Sequence, residues 1–535
     1  AFLLFAFTSF SQTYDRQDSL RGSVTPQRSW WNLKSYDLSV TTNIEEKSIS
    51  GSNVIRYEVL KPGQSLQVDL QAPLIIDKVV QNGKELQVVH EGNAHFVQLE
   101  TEQEPGALHE IEVFYHGVPR QAVRAPWDGG FSWAEDSNGL PFVATSNQGL
   151  GASVWWPCKD HMYDENEEGM IMRYTVPENV VAVGNGRLID TKRNKRAKTR
   201  TYIWKVVNPI NNYGVNLNIG DYVSFSETYA GEKGSLDMIY YVLRENLDKA
   251  KEQFKDAVRT MEAFEYWFGP YPFYEDSYKL VEVPYLGMEH QSSVTYGNNY
   301  ANGYLGRDLS GTGWGLKWDF IIVHESGHEW FANNITYKDI ADMWIHESFT
   351  NYSESLFTEY HYGKEAGAEY VRGLRMSIAN RGTMIGDYGV NDGGEDVYMK
   401  GANLLHTIRQ LVNDDEKWRE LLRGLNETFY HQVVTTDQVE SYMIAFTGLD
   451  LESVFDQYLR DVRIPVLEYV VKDGSLLARW TNCLETFDMP VNLLIGDKEQ
   501  KIYPSTIWER MDVSVDSGGI SVDPDFYVYA DNLTN

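Results

Sequence analysis

The spacing of apolar residues changes twice along the 535 residues of this chain. Between about residues 30 and 223, short runs such as Asn53 to Leu60 (NVIRYEVL) alternate apolar and polar side chains, and Gly, Pro and Asn residues separate the runs. This period of two is typical of half-buried β-strands. The Asn82-Gly83 pair predicts a two-residue hairpin between two such strands. The pattern therefore predicts an N-terminal all-β, sandwich-like domain.

A helical spacing of three and four replaces this alternation near Glu245 and stops at Gly269-Pro270. The apolar positions of this first helix are Phe254, Ala257, Val258, Met261, Phe264 and Phe268. Helical segments continue to about Arg460, and alternation returns after Pro465. We therefore predict a multidomain α+β protein with an N-terminal β-domain (residues 12–225), a mostly helical domain (226–462) and a small C-terminal β-domain (463–535).

Residues 1–11 (AFLLFAFTSFS) are almost wholly apolar and resemble the end of a secretory signal peptide. A buried N-terminal strand is the alternative interpretation. No later apolar run reaches the roughly 18 residues that a membrane helix needs. The sequence therefore predicts an exported protein, periplasmic or extracellular, without stable membrane insertion.

Charge and cysteine content exclude several classes of protein. The formal net charge of −30 repels phosphate backbones and anionic lipid head groups, so nucleic-acid binding is not expected. The two cysteines, Cys158 and Cys483, are too few for a disulfide framework or a thiolate zinc site. Two buried free thiols are the favoured interpretation, and a single bridge between them stays open. The sequence does not indicate an oligomeric state.

The segment Phe320 to Phe331 (FIIVHESGHEWF) contains His324, Glu325 and His328 in an HExxH arrangement. On a helix, positions four apart differ by about 40° around the axis, so both imidazoles can bind one metal ion. Glu325 lies about 100° away, beside the metal, where it suits the removal of a proton from a water molecule. In a chain of this composition, roughly 0.04 HExxH matches are expected by chance. If this match arose by chance, the residues would form a solvated helix face and one core histidine.

A third ligand is expected, because a catalytic zinc usually keeps three side chains and one open position. Glu347, in Trp344 to Tyr352 (WIHESFTNY), follows His328 by nineteen positions. A helix, a turn and a return helix over this span would bring the carboxylate back to the metal. An exposed helix glutamate is the alternative for Glu347 taken alone. Two imidazoles and one carboxylate suit zinc, and cobalt or manganese would also bind.

These motifs resemble those of the aminopeptidase N family of zinc metallopeptidases, a gluzincin group that includes the leukotriene hydrolases. Four further segments accompany HESGH and WIHES in the order found in the family: Trp155 to Asp160 (WWPCKD), Phe268 to Pro272 (FGPYP), Leu286 to His290 (LGMEH) and Val397 to Ala402 (VYMKGA). The resemblance covers roughly residues 30 to 535, and it implies that the helical domain is thermolysin-like.

The resemblance implies one Zn²⁺ per chain, held by three ligands: His324, His328 and Glu347. It implies a catalytic pair, with Glu325 as general base and Tyr398 as hydrogen-bond donor to the oxyanion. It also implies a substrate-binding group: Glu289, Gln148, Gly287 and Met288. Within this group Glu289 would hold the free α-amine of the substrate, and Gln148 would be a second contact to it. The implied function is a zinc aminopeptidase that hydrolyses the N-terminal peptide bond of peptides with a free N-terminus.

The chain departs from the family pattern at Leu286 and His290, which turn GAMEN into LGMEH, and at His346, where the family has Asn. Both imidazoles are expected near the metal, either as donors to its ligands or as determinants of substrate fit. Two alternatives to a peptidase stay open. One is a zinc hydrolase of a non-peptide substrate such as an epoxide, and the other is a catalytically silent scaffold of the same fold.

Overall fold

The computed structural model describes residues 13–472, 475–496, 498–514 and 519–534 of the chain. The predicted signal-peptide remnant, residues 1–11, lies outside the described residues. No helix in the described part of the chain combines the length and the apolarity that crossing a membrane requires.

The N-terminal region is mainly β-structure. Its helices are α1 (Arg16–Gly22) and α2 (Pro26–Ser29), and its strands are β1 (Trp31–Asn43), β2 (Ser48–Val59), β3 (Gly63–Asp69), β4 (Ile75–Gln81), β5 (Lys84–Glu91), β6 (Ala94–Gln103), β7 (Leu108–Gly117), β8 (Gly130–Glu135), β9 (Pro141–Ser146), β10 (Met170–Pro177), β11 (Val181–Val183), β12 (Arg187–Asn194), β13 (Thr199–Val206) and β14 (Asn218–Gly220). Among the described residues, one sheet has the order β12-β13-β10-β1-β2-β7-β4-β5-β6-β3 and a second has the order β11-β14-β9-β8.

The hairpin predicted at Asn82-Gly83 is confirmed. Strands β4 and β5 pair antiparallel with Gln81 opposite Lys84, and the two turn residues have φ values of 52° and 77°. Positive φ at both central positions is the geometry of the turn whose twist matches that of the flanking strands.

The middle region begins with strands rather than helices. Its elements are β15 (Tyr222–Gly231), β16 (Gly234–Leu243), α3 (Leu247–Gln253), α4 (Lys255–Phe268), β17 (Tyr278–Glu282), β18 (Gly287–Met288), β19 (Val294–Tyr296), α5 (Phe320–Gly327), β20 (Ile335–Tyr337), α6 (Trp344–Tyr362), α7 (Lys364–Leu374), α8 (Met399–Val412), α9 (Asp415–Thr428), β21 (Gln432–Val434), α10 (Thr436–Thr447) and α11 (Glu452–Arg460). In the described residues a sheet has the order β15-β16-β17-β19-β18, so β18 lies at its edge. The predicted boundary between residues 225 and 226 falls inside β15, whose alternation belongs to this sheet.

Helix α4 fixes the position of the segment that follows α5. As predicted, it ends before Gly269, which has a φ of 90°. The rings of Phe264 and Phe268 lie 5.6 and 6.1 Å from the ring of Trp330, between centroids. Such aromatic pairs stabilise a core by about 0.5–1.5 kcal/mol each beyond the burial of their area. The chain just after the HExxH segment is therefore held by a packed aromatic cluster.

The C-terminal region is again β-structure: β22 (Val466–Lys472), β23 (Ser475–Thr481), β24 (Val491–Ile495), β25 (Lys498–Ile502), β26 (Glu509–Ser514), β27 (Ile520–Val522) and β28 (Tyr529–Asn532). The predicted boundary between residues 462 and 463 falls between α11 and β22. Tyr458 of α11 donates to the carbonyl oxygen of Tyr527 at 2.6 Å, so the two regions are in direct contact. Both cysteines are free; Cys158 is buried as predicted, whereas Cys483 is only half-buried. The predicted multidomain α+β class is confirmed.

Candidate active site

Helix α5 carries the two histidines of the HExxH segment on one face. The carboxylate of Asp319 caps the helix by accepting from the backbone N–H groups of Ile321 and Ile322. His328 follows the last helical residue and keeps helical angles (φ −65°, ψ −17°). The centroids of the His324 and His328 rings therefore lie 5.0 Å apart, with the ring planes nearly perpendicular.

Glu347 returns to the two imidazoles, as its spacing predicts. Its Oε2 lies 3.4 Å from Nε2 of His328 and 3.8 Å from Nε2 of His324. The segment between α5 and α6 contains more than a turn. It includes strand β20, which pairs in parallel with β21. Glu347 is 1% exposed, which excludes the solvent-facing helix glutamate considered for it.

The arrangement of these three residues fits a zinc ion. One ligand atom from each lies within 4.8 Å of the others, and all three residues are buried. Oε2 of Glu347 is buried and has no hydrogen-bond partner among the described residues. Burial lowers the pKa of His328, but the carboxylates of Glu347, Glu289 and Glu325 outweigh it and raise this pKa to about 10. A site with such a surplus of negative charge suits a cation, and two nitrogen donors with one oxygen donor suit zinc.

Glu354 orients His324, and the sequence analysis did not identify it. Its Oε1 lies 2.7 Å from Nδ1 of His324 and accepts from Asn351 Nδ2 at 2.8 Å, and its Oε2 accepts from the Tyr370 hydroxyl at 2.7 Å. A carboxylate on the second ring nitrogen fixes the tautomer that leaves Nε2 free for a metal. The sequence does contain a signal for this residue: Glu354 follows Glu347 by two helical turns, which predicts that both lie on the same face of α6.

Nδ1 of His328 is held in a similar way. It lies 3.0 Å from the backbone carbonyl oxygen of Phe331 and 3.0 Å from Oγ1 of Thr350. Both imidazoles therefore have their Nδ1 atoms occupied and their Nε2 atoms directed toward Glu347.

Glu325 lies beside this group and close to the edge strand β18. Burial, assisted by the nearby Glu289 carboxylate, raises the pKa of Glu325 to about 7, although the two imidazoles act in the opposite direction. Gly287 permits the close approach of β18 to α5, because a Cβ atom there would lie 2.5 Å from Cγ2 of Ile321. A carboxyl group with a pKa near neutrality, next to a metal, is suited to general-base chemistry.

Glu289 and Gln148 meet at the other side of the three ligands. Nε2 of Gln148 donates to Oε1 of Glu289 and to Oε1 of Glu347, both at 3.1 Å. Burial raises the pKa of Glu289, whereas His328 lowers it. Gln148 belongs to the N-terminal region and Glu289 to the middle region, so the two regions jointly build this part of the site.

Met288 points away from the site. Its side chain packs in an apolar cluster with Ala144, Val283 and Tyr285, while Gly287 and Glu289 line the cavity described below. The cause is the strand period of two, which sends alternate side chains to opposite faces. Only the backbone of Met288 is therefore available to a ligand on the cavity side.

Tyr398 immediately precedes α8 and faces His324. Its ring lies 6.2 Å from the His324 ring between centroids and at 28° to it. Burial raises the pKa of the Tyr398 hydroxyl well above its usual value, and the negative charge of Glu347 adds to this effect. The hydroxyl therefore keeps its proton at neutral pH and can act as a hydrogen-bond donor.

One cavity of about 210 Å³ is bordered by the three candidate ligands and by the groups closest to them: His324, His328, Glu347, Glu325, Gly287, Glu289, Gln148 and Tyr398. Its remaining wall is largely apolar and aromatic, and the sequence did not indicate it because the residues come from loops and helices far apart in the chain: Pro126, Trp127, Leu286, Tyr304, Leu309, Phe320, Ile321 and Met399. The cavity thus has a charged floor and an apolar wall, which is typical of small-molecule and peptide sites.

The two unusual imidazoles, His290 and His346, are buried and do not line this cavity. Nδ1 of His290 lies 3.2 Å from Oγ1 of Thr295, and Nε2 of His346 accepts from the backbone N–H of Tyr337 at 2.9 Å. Burial lowers the pKa of His290 to about 3 and that of His346 well below its usual value. Both rings are therefore neutral packing groups behind the site.

Comparisons with known proteins agree with this geometry. Residues 252–458 match the model described as the Peptidase family M1 domain. Aminopeptidase N of Lactobacillus helveticus is 22% identical over 466 residues, covering 82% of this chain and 52% of that protein. Aminopeptidase B of Homo sapiens is 23% identical over 345 residues, covering 60% of this chain and 49% of that protein. The chain thus spans about half the length of these two relatives.

Solved structures show the same fold. The chain is similar to a mutant M1 zinc metallopeptidase from Deinococcus radiodurans bound to a Tyr-Ser-Ala substrate, with a TM-score of 0.67 and 20% identity over 82% of this chain and 96% of that one. Another structure of that metallopeptidase gives a TM-score of 0.66 at 21% identity, over 79% of this chain and 92% of that one. The resemblance to the aminopeptidase N family is thereby confirmed: the chain carries a Peptidase family M1 domain at residues 252–458 and has the multidomain fold of the M1 zinc metallopeptidases.

Proposed function

We propose that the chain is a zinc aminopeptidase that hydrolyses the first peptide bond of peptides with a free N-terminus. One observation carries the proposal: the carboxylate of Glu289, joined to Glu347 through Gln148, borders the same cavity as the three candidate zinc ligands. A metal site alone would be compatible with many classes of hydrolase. An acidic group at a fixed distance from it favours substrates that carry an ammonium group.

The amine anchor sets which bond is hydrolysed. Glu289 would pair with the substrate's ammonium group, and the Gln148 carbonyl oxygen would add a second acceptor. Because this contact fixes the distance from the N-terminus to the ligand group, only the first peptide bond reaches the reacting position.

His324, His328 and Glu347 would hold the zinc ion, which when bound polarises a carbonyl group and lowers the pKa of water to about 7. The Glu325 carboxylate would accept a proton from the attacking water and deliver it to the departing amine nitrogen. The Tyr398 hydroxyl would donate to the substrate's carbonyl oxygen as negative charge develops there. One such donor typically stabilises the transition state by about 3 kcal/mol.

The test is a panel of aminoacyl amides and peptides, each with a free or an acetylated amine, assayed with and without a chelator. Chelator-sensitive release of the first residue from free-amine substrates alone is the expected result. Hydrolysis of acetylated peptides at similar rates would contradict the role of Glu289. Inertness of the zinc-loaded protein would favour the silent scaffold, and turnover of epoxides alone would favour the non-peptide hydrolase. The predicted export stays a prediction, to be tested by cell fractionation of the full-length protein.

A further inference from the structure

We propose that a second cavity, of about 620 Å³, binds the third and later residues of the peptide substrate and prefers a peptide that carries a carboxylate there. The inference rests on the proposed aminopeptidase function and extends it. Residues that line this cavity include Trp127, Lys249, Glu282, Leu286, Tyr300 and Tyr304.

The second cavity adjoins the candidate active site. Trp127, Leu286 and Tyr304 border both cavities and form the boundary between them. Trp127 is 57% exposed, which is unusual for so large an apolar side chain and leaves its ring available to a ligand. A chain leaving the active site past these three residues enters the second cavity.

The edge strand β18 gives the direction of the peptide. In the described residues β18 pairs with β19 on one side only, so its other edge can pair with an extended peptide. Leu286 precedes Glu289 by three residues, which is about 10 Å in an extended strand. An antiparallel peptide with its amine at Glu289 therefore brings its third and fourth residues beside Leu286, at the entrance to the second cavity.

Charges in the second cavity indicate the chemistry of these residues. Lys249 is exposed, and no carboxylate lies within 4.0 Å of its Nζ among the described residues; its hydrogen-bond partner there is Oδ1 of Asn246, at 3.3 Å. Glu282 lines the same cavity, but its two oxygens accept from the backbone N–H of Leu243 and from Asn246 Nδ2, both at 2.7 Å. The free cation of Lys249 suits a carboxylate, either the peptide's C-terminus or an acidic side chain.

The experiment compares kcat/KM for leucine amide with kcat/KM for leucine-initiated alanine peptides of increasing length. The peptides are prepared with a free C-terminus, with an amidated C-terminus, and amidated with one internal aspartate. The variants are Trp127→Ala and Lys249→Ala, with Trp508→Ala as the matched control, because Trp508 is also partly exposed (39%) but lies in the C-terminal region. The readout is the ratio of kcat/KM for the long peptide to kcat/KM for leucine amide.

We expect this ratio to rise with length in the wild type, and to fall about tenfold in Trp127→Ala, as for an aromatic anchor of a binding site. Lys249→Ala should lower it about two- to fivefold at low salt, and only for peptides that carry a carboxylate. The free C-terminus and the internal aspartate distinguish the two sources of that carboxylate. Trp508→Ala should leave the ratio within twofold of wild type.

Hydrolysis of leucine amide without any gain from length would overturn this inference and leave the proposed function standing. The same holds if Trp127→Ala lowers kcat/KM equally for leucine amide and long peptides, or if Trp508→Ala lowers the ratio as much as Trp127→Ala does. Failure to hydrolyse any free-amine substrate would overturn the proposed function itself, and this inference with it.

Discussion

Replacing Glu354 with glutamine should weaken zinc binding without unfolding the protein. Glutamine keeps the shape of the side chain and an oxygen that can accept from Nδ1 of His324, but it removes the negative charge. Hydrogen bonds to charged groups contribute about 1.5–3 kcal/mol and neutral ones about 0.5–1.5 kcal/mol. Loss of the charge should therefore cost about 1–1.5 kcal/mol, or roughly a tenfold rise in the dissociation constant for zinc.

The assay is competition for zinc with a chromophoric chelator at neutral pH, with Tm measured in parallel to verify folding. Tyr370→Phe removes one donor to Glu354 and should give a smaller rise. Ser355→Ala is the matched control, because this neighbour on α6 is buried and its hydroxyl has no partner among the described residues. A dissociation constant for Glu354→Gln within twofold of wild type would refute the reasoning, since the carboxylate would then not act on His324.

Further expectations concern the reacting groups. Glu325→Gln should retain zinc and lose about 10²–10⁴-fold in kcat, because no carboxylate accepts the proton; near-normal turnover would place the base elsewhere. Tyr398→Phe should lower kcat about 10²-fold with zinc content and KM little changed, and an effect on KM alone would contradict oxyanion stabilisation. Glu289→Ala should raise KM for free-amine substrates and leave zinc content unchanged; an equal effect on acetylated substrates would exclude an amine anchor. Burial raises the pKa of Glu325 to about 7 and a bound cation would lower it. Since only the carboxylate accepts a proton, kcat/KM should rise with pH along a limb centred at or below about pH 7, and a limb centred above about pH 8 would contradict this assignment.

Local periodicity accounts for the parts of the site that the sequence predicted. His324 and His328 follow from a spacing of four on one helix, and Glu347 from a span long enough for a return helix. The same reasoning predicts Glu354, two turns further along α6, and the direction of the Met288 side chain away from the cavity, which alternation in a strand dictates. Neither needed more than the sequence.

Other features depended on contacts between distant segments. The predicted boundary between residues 225 and 226 falls inside β15, because β15 has the same alternation as the strands before it and only its pairing with β16 assigns it to the next sheet. The apolar wall of the cavity joins Trp127 of an N-terminal loop to Tyr304 of a loop before α5, which no single window of sequence could indicate. Likewise, the sequence could not indicate the contact that holds His346, whose Nε2 accepts from the backbone N–H of Tyr337.

The hydrogen bonds from Gln148 to Glu289 and Glu347 have a consequence for how this protein could be divided. Every candidate zinc ligand belongs to the middle region, whereas Gln148 comes from the β-rich region that precedes it. An isolated middle fragment, if it folded, would therefore keep the candidate zinc ligands and Glu289 but lack Gln148, the second group that we propose as a contact for the substrate's amine. Selection for the removal of single residues would then act on the contact between the two regions. Recombination that exchanged either region alone would separate the hydrolytic groups from the contacts that determine which bond is hydrolysed.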